Sequence, residues 1–217
     1  MQKYILSIDQ GTTSTRSMVF DNEFKIIGSS QKEFKQFFPK DGCVEHNPLE
    51  IMDTVYTTVK ETIENASIGI DEILSIGIVN QRETVVLWNK ITGKPIYNAI
   101  VWQDRRTAGY CNKLKEQGHA DDILNITGLI VDSYFSATKI RWILNKTSKN
   151  STDQDTNILF GTIDTWLLWK LTEGRSHYTD ITNASRTMIY DSKKEEWSKE
   201  LLKLFKINKS LLPEVKE

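Results

Sequence analysis

Apolar residues recur along the chain at two spacings, and the change from one to the other lays out its elements. Three short runs near the start, YILSID from Tyr4, STRSMVF from Ser14 and KIIGSSQKEF from Lys25, are separated by turn residues, which predicts three strands in an antiparallel meander. At HNPLE the spacing lengthens. Asn47 can cap a helix, Pro48 suits its first position, and Glu50, three residues after the cap, completes a capping box. Ile51, Val55, Val59 and Ile63 then recur every four residues and predict a helix with one core-facing stripe, ending near Asn65.

ILSIGIVNQRE, from Ile73, is almost unbroken apolar until its last residues, as a central strand emerging at a sheet edge would be, and TVVLWN reads as its hairpin partner. A turn at TGKP and a short run at AIVW lead to a polar helix over Asp104–Gln117, stopped by Gly118, and a further helix covers Ala137–Asn145. NKTSKNSTDQD, Asn145–Asp155, is a polar surface loop suited to insertion. ILF then reads as a strand. TIDTWLLWKL reads as a helix with Ile163, Leu167 and Leu171 on one face, and Trp166 and Trp169 beside it belong to the core rather than to a ligand. Strands, helix, strand and helices predict an α/β fold with a mixed sheet, its first three strands antiparallel and helices flanking it.

The balance of 39% hydrophobic and 26% charged residues in 217 fits a folded globular chain with one substantial core. Lysine plus arginine number 28 against 29 acidic residues, so no bulk field draws nucleic acid or an anionic membrane. No apolar run approaches the roughly 20 residues that span a bilayer, and Asp9 comes too early for a secretory signal, which points to a cytoplasmic protein. Cys43 and Cys111 are expected as free thiols, and the Asn-x-Ser/Thr matches as chance.

Four places carry candidate chemistry. In DQGTTSTR, Gly11 can open a turn whose peptide N–H groups converge on an anion, with Thr12, Thr13 and Ser14 adding hydroxyl donors, Arg16 adding charge and Asp9 able to hold magnesium through waters. A Walker-type loop is excluded, since no Gly-x-x-x-x-Gly-Lys-Ser/Thr occurs. In NQRE, the Glu83 carboxylate and the Arg82 guanidinium can orient a small polyol. Trp102, in VWQDRRT, offers an apolar wall for C–H groups, and Tyr134, in DSYFSATK, a phenol. Taken singly, each has an ordinary reading: a hairpin turn, a surface ion pair, core packing, a half-buried tyrosine. His46, His119 and His177 receive no role.

Taken in order, SIDQGTTSTR, NQRET, IVWQDRRT, YFSATKIRWIL, GTIDTWLLWKLT and NASRTMIYD resemble the successive motifs of the glycerol kinases, carbohydrate kinases of the actin-like superfamily, and the likeness runs through LLPEVKE. The resemblance implies a ribonuclease-H-like fold, with residues 1–217 forming the N-terminal lobe of two around a cleft. It implies ATP and Mg2+ as cofactors and glycerol as substrate. Thr12, Thr13, Ser14 and Arg16 would contact nucleotide phosphates and Asp9 the magnesium; Arg82, Glu83 and Tyr134 would hold glycerol, with Trp102 beside its carbons. A homo-oligomer is expected of the full-length protein. Two positions depart from the family: Cys43 stands where tryptophan is usual, and Ser133 where proline is usual, which would loosen the glycerol pocket. The Gly-Asp-Gln motif that carries the family's aspartate base is expected beyond Glu217, so the chain by itself should turn over little or nothing.

Overall fold

Leu6 and Ile8, alternate residues of β1 (Tyr4–Gln10), are buried while Ser7 and Asp9 between and beyond them are only half-buried, so this strand offers one face to a core. In the computed structural model, which describes residues 3–147 and 157–216, β1 pairs antiparallel with β2 (Ser14–Phe20), and β2 antiparallel with β3 (Ile26–Glu33). The expected meander is therefore present. After β4 (Glu45–His46) and α1 (Pro48–Ala66), β5 (Ile73–Asn80) returns parallel to β1, giving the mixed sheet β3-β2-β1-β5. The chain divides into two units, the first comprising Met1–Gln36 and His46–Gln81, the second Phe37–Glu45 and Arg82–Glu217.

In the first unit, α1 lies on β2 and β3 through hydroxyls as much as through hydrocarbon. Thr54 bonds Thr15 and Thr58 bonds Ser17, each at 2.8 Å, and the Thr62 hydroxyl donates to the Ser17 carbonyl at 3.1 Å. A Cβ on Gly28 would stand 2.7 Å from the Thr62 carbonyl and from Ala66 Cβ, so only glycine allows this approach. The expected stripe is accordingly rotated: Ile51 and Val55 are buried with Thr54, Thr58 and Thr62, whereas Val59 and Ile63 are half-buried. Asn47 caps the helix by accepting from the Leu49 N–H at 3.0 Å. Glu50 forms no capping box; it accepts the Lys35 N–H instead.

Two expectations about β5 are corrected. It is an edge strand, paired with β1 alone among the described residues, and Leu74, Ile76 and Val79 are 68%, 52% and 59% exposed. An apolar run reads alike whether a strand is flanked on both sides or one, which is why the sequence misled. Its supposed hairpin partner, β6 (Val86–Asn89), belongs to the second unit and pairs antiparallel with β8 (Ile158–Gly161), Leu87 facing Phe160. Between these in sequence come β7 (Ala99–Ile100), α2 (Ala108–Glu116), α3 (Ala120–Thr127) and α4 (Ser136–Thr147). The second unit continues with α5 (Ile163–Leu171), β9 (Tyr178–Asp180), α6 (Ile181–Ala184), β10 (Tyr190–Asp191), β11 (Glu196–Trp197), α7 (Lys199–Phe205) and β12 (Glu214–Lys216).

The helix expected from Asp104 starts only at Ala108, because Asp104 is committed elsewhere. Its carboxylate takes a forked pair of bonds from Arg106 and accepts the Val44 N–H, and Arg106 reaches Glu45 at 2.8 Å. Tyr97 and Asn98 complete the partners of Glu45 at 2.9 Å each. The three charged side chains are at most 6% exposed. Burial opposes the Arg106 charge, but the bonds to Asp104 and Glu45 outweigh it and hold the guanidinium proton more tightly than usual. This network ties residues 37–45 to the body of their unit.

Helix α3 was not foreseen; Asp121 and Asp122 suit its first turn and Gly128, at φ 73°, closes it. Asn145–Thr147 prolong α4 rather than opening a loop, and the rest of the expected loop lies outside the described residues. Trp166 and Trp169 are core, as expected: Trp88 stands 5.2 and 5.6 Å from them, ring to ring. All six tryptophans fall in the second unit. Cys43 and Cys111 are free and buried. Among the described residues no helix is long and apolar enough to cross a membrane.

Candidate functional site

The candidate residues fall into two clusters, one in each unit. In the first unit, the β1–β2 turn is closed by the Gly11 N–H donating to the Ser14 carbonyl at 2.9 Å, with Thr12 and Thr13 at its tip. Gly11 does not use the left-handed conformation anticipated for it. Its small size serves the turn instead, since a Cβ would come within 3.3 Å of the Ser14 carbonyl. Strand register sets Asp9 opposite Arg16. The Arg16 guanidinium donates twice to the Gln31 amide oxygen, at 3.1 and 2.8 Å, and the Gln31 NH2 donates to the Ser14 hydroxyl at 3.0 Å. Arginine, amide and hydroxyl thus form one ordered donor surface beside the half-buried Asp9.

Behind the turn stands a buried uncharged network that sequence reasoning missed. Gln10 and Gln81 both donate to the Gly11 carbonyl, at 2.8 and 3.0 Å, and Gln81 also approaches His46 Nδ1 at 3.3 Å. His46 Nε2 meets the Gln36 amide oxygen at 2.5 Å, an arrangement that suits a neutral imidazole protonated on Nε2. Burial pushes its pKa down to about 4, so the ring is neutral at physiological pH. His46 therefore does have partners, spaced too far apart in sequence to be paired by pattern. Among the described residues no three His, Cys, Asp or Glu side chains cluster to hold a metal, and the carboxylate beside this turn is that of Asp9.

In the second unit, Glu83 occupies a turn at φ 63°, an unfavourable left-handed conformation for a residue with a side chain. It is 2% exposed. Its carboxylate accepts Arg186 Nε at 2.7 Å, and the Arg186 guanidinium lies 5.8 Å from the ring centre of Tyr134 and 5.0 Å from that of Phe135. Tyr134 and Trp102 are neighbours at 5.4 Å, centre to centre, and the Trp102 N–H donates to the Thr84 hydroxyl. Asp132 accepts the Tyr134 N–H at 2.8 Å, fixing the turn that contains Ser133. The structure thus gathers Glu83, Tyr134 and Trp102. Arg82 adjoins them in sequence and is exposed.

Sequence reasoning missed two members of this cluster. Arg186 lies 103 residues beyond the carboxylate it pairs with. Lys139 is fully buried in α4, and its ammonium donates to the carbonyls of both Glu83 and Tyr134. A lysine on a stripe shared with Ser136, Ile140 and Ile143 was the available signal, because that face of α4 is the buried one. The arrangement pairs a desolvated carboxylate with an aromatic wall and a phenol, which suits a small neutral polyol: hydroxyls for the charged groups, C–H groups for the rings. A cavity of about 420 Å³ elsewhere in the unit, lined by Arg106, Tyr110, Arg141, Trp142 and Phe205 among others, is less suited, since Arg106 is already compensated by Asp104 and Glu45.

Comparison with known proteins gives a consistent result. The profile of the FGGY family of carbohydrate kinases, N-terminal domain, matches residues 4–217. The glycerol kinase of Alkaliphilus metalliredigens is 54% identical over 217 residues, covering 100% of this chain and 43% of its own length. A crystal structure of Plasmodium falciparum glycerol kinase with ADP superposes with a TM-score of 0.92 at 40% identity, covering 99% of this chain and 43% of that one. The gluconate kinase structure from Lactobacillus acidophilus follows at 0.89 and 26% identity, covering 100% of this chain and 42% of its own. This chain therefore spans less than half the length of these relatives.

Proposed function

The chain belongs to the FGGY family of carbohydrate kinases, matching its N-terminal domain, and from that premise we propose that it is the N-terminal lobe of a cytoplasmic, homo-oligomeric glycerol kinase that phosphorylates glycerol to sn-glycerol 3-phosphate with ATP and Mg2+. The observation that carries this reading is the 54% identity to a glycerol kinase across all 217 residues. The cluster of Glu83, Tyr134 and Trp102 supports it with chemistry suited to a three-carbon alcohol.

In this reading Glu83 and Arg82 bind the glycerol hydroxyls, Tyr134 donates its phenol, and Trp102 packs against the carbons. Arg186 keeps the Glu83 carboxylate in place and balances its charge. The Thr12, Thr13 and Ser14 hydroxyls with Arg16 bind the nucleotide phosphates, and Asp9 holds the cation through water. The metal, when bound, neutralises charge on the transferring phosphoryl group. Positioning supplies most of the acceleration, since a fixed hydroxyl replaces a diffusing one. The proton acceptor for that hydroxyl is assigned to none of the described residues.

A kinase for another polyol or sugar is the second reading, favoured by the likeness to the gluconate kinase fold. A coupled assay for ADP on the full-length protein, with glycerol, gluconate and xylulose in parallel, separates the two. The expected result is turnover of about 1–100 per second with glycerol preferred; preference for a sugar acid or ketose would install the second reading, and no ADP from any would overturn both. Glu83→Ala is expected to lower glycerol affinity by about 100-fold, roughly the 2–3 kcal/mol of bonds to a charged group, with nucleotide affinity kept. Calorimetry showing unchanged glycerol binding would displace the pocket.

A further inference from the structure

Lys139 is the one described lysine that is fully buried, and among the described residues its ammonium makes no ion pair; both of its acceptors there are backbone carbonyls. They are those of Glu83 and Tyr134, residues 51 apart in sequence that the reading above places on the same polyol. The Glu83 carbonyl receives a second bond from α4, the Ser136 hydroxyl at 3.3 Å. Two donors from one helix thus hold the peptide that follows a left-handed side chain, a conformation unfavourable by about 1–2 kcal/mol.

We propose that Lys139 is a positioning residue of the polyol site, cross-tying the Glu83 and Tyr134 backbones so that carboxylate and phenol keep a fixed separation. The inference rests on the glycerol-kinase reading of those two residues. A fully buried lysine is a costly way merely to fill space, because burial disfavours its charge and an apolar side chain of similar length would pack there without that cost. The charged groups facing it are Glu83, Asp104 and Asp132, with the Cys111 thiol nearby; burial draws its pKa down to about 7 and these acids oppose the fall. The amine can donate to both carbonyls with or without its third proton, so the tie persists through that titration. Its geometry is what the site uses.

The test compares Lys139→Met with Thr138→Ala in the full-length kinase. Thr138 is equally buried in α4 but bonds Thr107, so its loss perturbs the helix without removing a donor to either carbonyl. Lys139→Met is expected to raise the KM for glycerol by on the order of 10–100-fold, the scale of a small misplacement of binding groups, while the KM for ATP stays within about twofold. Thr138→Ala is expected to lower the melting temperature and leave both KM values unchanged. Should Lys139→Met fail to fold, Lys139→Gln, which keeps an NH2 donor, takes its place, with a partial rise in glycerol KM expected. Unchanged glycerol KM in a folded Lys139 variant overturns the inference, as does an equal rise in both KM values. A wild-type kinase that ignores glycerol would instead strike at the substrate assignment and leave a different signature.

Discussion

The two units brace their clusters with opposite materials. In the first, the turn from Gly11 to Ser14 is braced from behind by Gln10, Gln81, His46 and Gln36, none of them charged, and α1 is seated by hydroxyl pairs. In the second, Glu83 pairs with Arg186 and Arg106 with Asp104 and Glu45, nearly all out of water. A neutral hydrogen bond contributes about 1 kcal/mol net, and a buried group left without its partner costs about 1–3 kcal/mol. A buried ion pair costs heavily in desolvation and tolerates no missing member. The first unit should therefore yield gradually to mutation and the second abruptly.

The sharpest way to break this contrast is Arg106→Met. It strands two buried carboxylates, and a loss of about 3–5 kcal/mol in denaturant unfolding is expected. A loss below about 1 kcal/mol would rank the network with exposed pairs and erase the distinction. Acid comes next, acting on the first unit. An unfolded histidine takes up its proton near pH 6.5 and buried His46 only near about 4, so between those values the unfolded state binds more protons and stability falls as pH drops. The contribution is complete above pH 6.5. At pH 5 about 2 kcal/mol should be gone, and His46→Gln should remove that part of the slope; an identical slope in the variant would deny His46 the role. The smallest effect is Thr58→Val, which leaves the Ser17 hydroxyl unpartnered for about 1 kcal/mol. A loss comparable to that of Arg106→Met would show that hydroxyl seams are no more forgiving than ion pairs.

What could be foreseen follows the range of the interaction concerned. The hairpin around Gly11 and the cap at Asn47 were legible because their determinants lie within a few residues of one another. The candidate residues Glu83, Trp102 and Tyr134 came from their chemistry and from motif order, and the structure gathers them. The Arg106 network was not legible: Glu45 lies 61 residues away, and a polar stretch starting at Asp104 looks helical until its carboxylate is known to be occupied. Nor was the seam on α1, since threonine counts as neither apolar nor charged in a periodicity and its burial depends on Thr15 and Ser17 across the gap. The edge position of β5 was hidden for a related reason, a strand carrying no mark of how many neighbours it has.

The placement of every indole in the second unit has a practical optical consequence. Ultraviolet-excited emission above the tyrosine band watches that unit and is blind to the other, whereas far-ultraviolet ellipticity averages over both. Running the two signals through one acid titration would resolve whether the halves come apart together, without attaching any dye.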